Sequence, residues 1–396
     1  MDDEQDSTFI NIKTNTPRPE KKRKKHKSNI HVELSNKNLD NVTDNKVLKE
    51  NKRPKKDTNK YNLNYVRLFK EIPQRIPFLG KPRDYTISVA LPVSIMENIQ
   101  SDDLRAYVIG NIARTLTIYG VNEVVLYNDL DDKSSNWMEY FSLNLRYLET
   151  PQYLRKFLFP MDNALKFAGL QNPINAPHHL RSTEWLPYRE GVVGLIRKDS
   201  TNTTLYADCG VFSSVKIHNK EDLKEFYGIE YMTDEDYDVY QRVTVRLDDE
   251  SIDKCHKNWK EGKSLSQSET GSLSAYLVHP EEPLKVAGLY WGYIVRECNT
   301  VVESLKGCPF NENARYDLKV GTSERGELYS LNTKLPKFKN MLIYFGPVLG
   351  LEHVMQEPEK KFDKYFNFCN QQKSRTIRTE EALLIVLSLL SFTNTF

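Results

Sequence analysis

The chain has 396 residues, of which 39% are hydrophobic and 11% aromatic, enough to build more than one buried core. Its formal net charge is only +2, so bulk charge argues neither for nor against a nucleic-acid partner; the positive residues gather near the N-terminus. Five scattered cysteines (Cys209, Cys255, Cys298, Cys308, Cys369) form no CxxC pair, which points away from a disulfide framework or a zinc site and towards free thiols in a reducing compartment.

Residues 1–60 are rich in Lys, Asn and Asp and poor in aromatics, a composition expected to stay disordered. They carry two basic clusters, Arg18–Lys27 and Lys52–Lys56. Such clusters fit a nuclear or nucleolar address that also adds phosphate attraction, or a plain solvated tail. The acidic, polar start (Met1–Asp6) argues against a secretory signal. The longest apolar run, Ala382–Leu390, is about half of the roughly 20 residues needed to span a bilayer. A soluble, intracellular protein with no membrane partner is expected.

From about Asp84 the pattern becomes α/β. Tyr85–Leu91 reads as a buried strand closed by Pro92. Ser101 is placed to cap a helix with Asp102 and Asp103 in its first turn, and Leu104, Val108, Ile112 and Leu116 supply an apolar stripe. Glu123–Tyr127 follows as a second strand, so the unit is βαβ and the sheet largely parallel. Between about Glu190 and Pro283 the texture turns β-like: Val192–Ile196, Thr204–Asp208, Val215–Ile217 and Arg242–Leu247 are short β-branched runs suggesting a small barrel or sandwich. Asp222–Tyr240 and Asp248–Gly271 read as loops, partly disordered. The α/β pattern then resumes with strands at Tyr290–Val295, Tyr316–Val320 and Met341–Phe345. The last helix starts near Thr379, and its apolar character on all sides predicts full burial.

Three turns after strands gather the chemistry: Gly321–Glu327, Phe345–Glu352 and Asn367–Glu380. In open α/β sheets ligands bind beyond the carboxyl ends of the strands, and glycine lets a backbone approach them closely. Taken singly, each is also an ordinary turn. Neither GxGxxG after the first strand nor a P-loop is present, which argues against dinucleotides and nucleoside triphosphates.

The strings YTISVALP (85–92), PQYLRKFLFP (151–160), FAGLQNPINAPHHLR (167–181), YREGVV (188–193), YDLKVGTSERG (316–326) and SRTIRTEEALL (374–384) resemble the eukaryotic and archaeal branch of the SPOUT RNA methyltransferases that carries an inserted OB-like barrel. The resemblance runs from Pro82 to Leu390. It implies an α/β fold with a trefoil knot, divided into a tail (1–60), a first α/β part (82–189), an inserted barrel (190–285) and a C-terminal knotted part (286–396). It also implies S-adenosylmethionine as cofactor, RNA, most simply ribosomal, as substrate, a homodimer with its active site near the interface, and no metal.

By the same resemblance, cofactor contacts fall on Arg325, Gly326, Gly346, Pro347, Glu352, Asn367, Asn370, Ser374 and Thr376. Pro347 departs from relatives that place a second glycine there, and removes a backbone donor. Asn111 and Arg114 match a substrate-facing motif of the ribose-methylating enzymes. Arg114 is the candidate catalytic residue, holding a phosphate or polarising the nucleotide; an exposed helix arginine is the plain alternative. His178, His179, Arg181 and Arg189 are assigned to RNA, although paired histidines are most often loop filler and no third ligand supports a metal. On the barrel, Tyr206, Lys216, Arg242 and Arg246 are candidate RNA contacts. A rival reading is a cofactor-binding but non-catalytic RNA-binding or chromosome-associated scaffold.

Overall fold

The computed structural model describes residues 82–130, 136–199, 202–211, 213–228, 240–263 and 272–393; the tail assigned to residues 1–60, with both basic clusters, lies outside them. The chain runs β1 (Thr86–Pro92), α1 (Asp102–Ile118), β2 (Glu123–Tyr127), α2 (Trp137–Glu149) and α3 (Gln152–Leu158). Next come β3 (Tyr188–Asp199), β4 (Asn202–Asp208), β5 (Val215–Ile217), β6 (Gln241–Leu247), α4 (Asp249–Lys260) and β7 (Ser274–Val278). It ends with β8 (Ile294–Cys298), β9 (Leu318–Leu328), β10 (Asn340–Tyr344), β11 (Lys364–Asn367) and α5 (Thr379–Thr393).

Six strands form one parallel sheet in the order β11-β9-β10-β1-β2-β8. Every residue of β1, β2 and β10 is buried, as central parallel strands covered on both faces require. On one face α1, α2 and α5 contribute Ile109, Leu116, Phe141, Leu145, Leu383 and Leu390 to a core with Ile87, Val89 and Leu91. On the other, Ala90, Val125 and Tyr344 pack under Phe362, Leu351 and Tyr316. The chain leaves β1 to one side for β2 and β8, then returns to the other side for β9, β10 and β11. The direction of winding therefore switches between β1 and β10.

The inserted segment closes as a five-stranded barrel, β3-β4-β5-β7-β6. Its core of Leu205, Val215, Val243, Val245 and Leu277 is plugged by Ile252 and Cys255 of α4. Asp248 caps α4 through its carboxylate, which accepts from the Ser251 N–H at 2.9 Å.

Several expectations need correction. Ser101 makes no side-chain cap at α1, and Leu104 is 50% exposed; the buried stripe is Ile109, Ile112, Ala113 and Leu116 because α1 faces the sheet only beyond its first turn. Asp222–Tyr227 and α4 are helical where loops were expected; residues 229–239 and 264–271, to which disorder was assigned in part, lie outside the described residues. The strand expected at Tyr290–Val295 begins only at Ile294, since Gly292 breaks the backbone at φ +88°. The strand expected at Tyr316–Val320 starts at Leu318 and runs on to Leu328. Full burial of α5 fails on one face: Leu384 is 47% and Phe392 78% exposed.

A buried polar cluster joins barrel to sheet. Arg242 of β6 donates from Nε to Glu190 Oε2 at 2.6 Å and from Nη2 to Glu149 Oε1 at 3.0 Å, with Nη1 on Glu149 Oε2. Thr244 Oγ1 and Trp291 Nε1 both donate to Glu190 Oε1, and His178 Nε2 lies 3.0 Å from Glu149 Oε1. Gly292 is required beside them, because a Cβ there would sit 2.1 Å from Glu149 Oε1. All three guanidinium nitrogens of Arg242 are thus taken up by two buried carboxylates, which gives this candidate RNA contact a structural role. Arg246 faces Glu282 at 3.6 Å, whereas Lys216 is exposed on the outer barrel wall, opposite Tyr206.

Candidate functional site

The turns after β9, β10 and β11 converge at the carboxyl end of the sheet and, with the start of α5, enclose one cleft. Of the residues assigned to a cofactor, Arg325, Gly346, Pro347, Glu352, Asn367 and Thr376 line it. Gly326, Asn370 and Ser374 do not. Gly326 lies where β9 presses on β11: a Cβ would come within 2.5 Å of the Phe366 carbonyl carbon. Asn370 and Ser374 are exposed, and Ser374 Oγ accepts only a long 3.5 Å bond from the Thr376 N–H. Gly346 is needed by its own loop, since a Cβ would meet the Leu351 nitrogen at 2.7 Å. Pro347 does not leave the turn unbonded, because its carbonyl accepts from the Gly350 N–H at 2.8 Å.

Glu352 is the charged focus of the cleft. Its Oε1 accepts from Ser323 Oγ at 2.8 Å and from Tyr365 OH at 3.0 Å, and Arg325 Nε lies 3.9 Å away. Burial pushes this carboxyl up, but hydrogen bonds from its own backbone, Ser323 and Tyr365, with Arg325 adding attraction, hold it below the usual range. Asn367 ties two of the loops, donating from Nδ2 to the Glu324 carbonyl at 2.8 Å. One part of the wall is apolar, with Phe345, Leu349, Ile377 and Ile385, while Thr322, Glu324, Gln372, Arg375 and Thr379 keep the rest polar. None of the four is marked as a ligand contact in the sequence, because Phe345 and Ile385 read as ordinary core residues of a strand and a helix and single apolar residues in turns carry no periodic signal. A carboxylate fixed as an anion beside backbone amides and an apolar wall suits a ligand with hydroxyl or ammonium donors and a flat ring.

A second groove, of 990 Å³, lies between α1, α3, the 172–182 loop and the barrel turn at Gly210. Arg114 is half-buried on its floor, donating from Nη1 to the carbonyls of Pro173 at 3.2 Å and Ile174 at 3.0 Å. His179 and Arg181 also line it, and Asn111 Oδ1 receives a 3.4 Å contact from Asn172. The two grooves share no lining residue.

His178 and Arg189 are the exceptions among the RNA-assigned residues. His178 is 0% and Arg189 1% exposed, and Arg189 donates to the carbonyls of Cys209 and Glu184. Neither has a solvent face from which to touch RNA.

The Nε2 atoms of His178 and His179 lie 3.0 and 2.7 Å from the Glu149 carbonyl oxygen, so each ring donates from Nε2. Burial, reinforced by His178, pushes His179 down to about 3. Its folded pKa lies below the unfolded value of about 6.5, so the stability it contributes is full above pH 6.5 and is lost as pH falls towards 3. Urea unfolding midpoints of His179→Gln should therefore decline less between pH 6.5 and 5 than those of the parent chain. Equal declines would contradict an imidazole held neutral by the fold.

Among the described residues no group of three or more His, Cys, Asp or Glu could hold a metal ion, and no helix is long and apolar enough to cross a membrane. A family model described as "Putative RNA methyltransferase" matches residues 86–390. The chain is similar to the mouse 28S rRNA (uridine-N(3))-methyltransferase, 38% identical over 329 residues that cover 78% of this chain and 76% of the relative. The human protein of the same name is 37% identical over 329 residues, covering 78% of each chain. The Drosophila melanogaster protein of that name is 37% identical over 339 residues, covering 78% of this chain but only 62% of the fly protein.

Proposed function

The chain belongs to the RNA methyltransferase family whose model spans residues 86–390, and from that premise we propose that it methylates N3 of a uridine in large-subunit ribosomal RNA. The observation that carries the reading is the cleft at the carboxyl end of the sheet, whose anionic Glu352, amide-bearing loops and apolar wall fit S-adenosylmethionine. When bound, that group supplies an electrophilic methyl on a sulfonium. Glu352 would accept from its hydroxyl or ammonium donors, and the Gly346–Gly350 turn with Phe345 and Ile385 would hold its ring. Attack by N3 requires the loss of the N3 proton, so alignment of the base and a path for that proton are what the protein must add.

The switch in winding direction between β1 and β10, with three loops folded over one cleft, supports a SPOUT fold whose C-terminal part is knotted. Because Arg114 and the donor cleft lie in separate grooves of one chain, we assign the reaction to a homodimer in which the groove of one copy faces the cleft of the other. The exposed apolar Leu384 and Phe392 on α5, with Val348 and Leu349 at the cleft rim, supply a surface for that contact. The basic clusters at 18–27 and 52–56 support nuclear and nucleolar residence.

Transfer of a radiolabelled methyl group from S-adenosylmethionine to unmodified total RNA tests this reading. The parent chain should label RNA. Arg114→Ala should keep donor affinity and lower transfer by roughly 100-fold if Arg114 positions the reacting nucleotide. Unchanged turnover in Arg114→Ala would reduce it to a loop anchor and leave the substrate role to His179 and Arg181. No labelling by the parent chain would overturn the reading.

A further inference from the structure

The groove beside Arg114 carries more than the residues assigned to it so far. Its lining includes three side-chain amides, Gln152, Asn172 and Asn175, two arginines, Arg114 and Arg181, and no Asp or Glu. Gln152, Asn172, Asn175 and Arg181 are all exposed. Among the described residues neither Gln152 nor Asn175 spends its amide on an internal hydrogen bond, and Asn172 makes only the 3.4 Å contact to Asn111.

Two features hold this edge in place. Ile174, 1% exposed, anchors the loop in the core, and Arg114 pins the two carbonyls before Asn175. Asn175 itself adopts φ +51°, a left-handed conformation unusual outside glycine, which turns the chain so that the buried Ile174 is followed at once by an exposed amide. At the far side Gly210, at φ +66°, lies flat on the Tyr153 ring, where any Cβ would sit 2.5 Å from it. The barrel turn and α3 thus form one continuous wall.

We propose that this groove binds the unpaired RNA strand flanking the target nucleotide, with Asn172 and Asn175 reading base edges and Arg181 holding a phosphate. The proposal rests on the RNA methyltransferase reading and assigns it a substrate class, single-stranded rather than duplex RNA. An amide offers one donor and one acceptor side by side, the complement of a base edge that Watson–Crick pairing would otherwise occupy. The absence of carboxylates favours a polyanion over a peptide of mixed charge. The groove volume of 990 Å³ stands at the upper end of the roughly 300–1,000 Å³ typical of small-ligand pockets, which leaves room for more than one nucleotide.

The test is fluorescence anisotropy of the full chain with a labelled single-stranded 12-nucleotide RNA and with the same strand in a duplex, over a salt series. Asn175→Gly keeps the left-handed backbone and removes only the amide, so it separates recognition from strain; Asn172→Ala serves as a second, independent variant. Combined, they should weaken single-strand binding by about tenfold or more with an unchanged salt slope and leave duplex binding as it was. Arg181→Ala should instead lower the salt slope by about one. Parent-like affinity in the amide variants, or an equal loss on duplex, would overturn the proposal. Loss of single-strand affinity in a chain that transfers no methyl group would support the groove and sink only the methyltransferase reading. Methyl transfer by the parent chain with amide variants that bind normally would do the reverse.

Discussion

Arg242→Ala should lower the unfolding free energy by about 3–5 kcal/mol, the cost of leaving two buried carboxylates without their cation. Glu149 and Glu190 are 5% and 2% exposed and come from α2 and β3, so the residue that neutralises both also fixes the barrel against the sheet. Burial alone raises the Glu149 carboxyl; Arg242 and His178 overcome it and hold that group well below the ordinary carboxylate range. Its folded pKa is depressed, so the stability it contributes is present above the unfolded value of about 4.3 and lost only in stronger acid. Arg242→Ala should therefore also unfold at a higher pH on acid titration. Urea denaturation at neutral pH reads the main effect. A loss under about 1 kcal/mol, the size seen for exposed ion pairs, would mean that the cluster is solvated and does not join the two units.

Gly346→Trp should abolish S-adenosylmethionine binding by calorimetry while the chain stays folded. The reason is sharper than cofactor proximity. Even a Cβ at Gly346 would press on the Leu351 nitrogen at 2.7 Å, so an indole must push the 346–351 turn outward and carry Pro347, Leu349 and Glu352 out of the cleft wall. The strand before it is wholly buried and should survive, so far-UV circular dichroism should match the parent. Normal donor affinity in this variant would remove the cleft from consideration.

The central strands were legible because a strand buried on both faces must be a continuous apolar run, as Thr86–Pro92, Glu123–Tyr127 and Asn340–Tyr344 nearly are. The edge strand Lys364–Asn367 was not, since four residues of which only Phe366 is buried leave no such trace. Helix α4 was hidden because only Ile252, Cys255 and Trp259 of its twelve residues touch the barrel core. Tyr293 looked like part of a strand because it is buried, 4% exposed, yet it reaches the core from a loop bent by Gly292.

The site divided in the same way. The three loops that enclose the cleft could be found because each follows a strand and carries Gly or Asx residues. Arg242 and His178 looked like RNA contacts because their partner is remote in sequence, Glu149 lying 93 and 29 residues away; Arg189 did because the carbonyls that hold it, at Glu184 and Cys209, leave no mark in a sequence. Charge in a sequence shows that a cation is present and not whether the fold has already neutralised it. The amides Asn172 and Asn175 lie within the 167–181 string that carried the resemblance, but nothing in it singled them out; only the loop anchored by Arg114 and Ile174 sets them along one groove.

The central claim is that this chain places a methyl group on N3 of uridine in large-subunit ribosomal RNA. Its most direct test is mass spectrometry of nucleosides from unmodified large-subunit RNA incubated with the protein and S-adenosylmethionine. The parent chain should produce 3-methyluridine and Gly346→Trp none. A methyl group found on a ribose oxygen or another base, or no gain over RNA incubated alone, would contradict it.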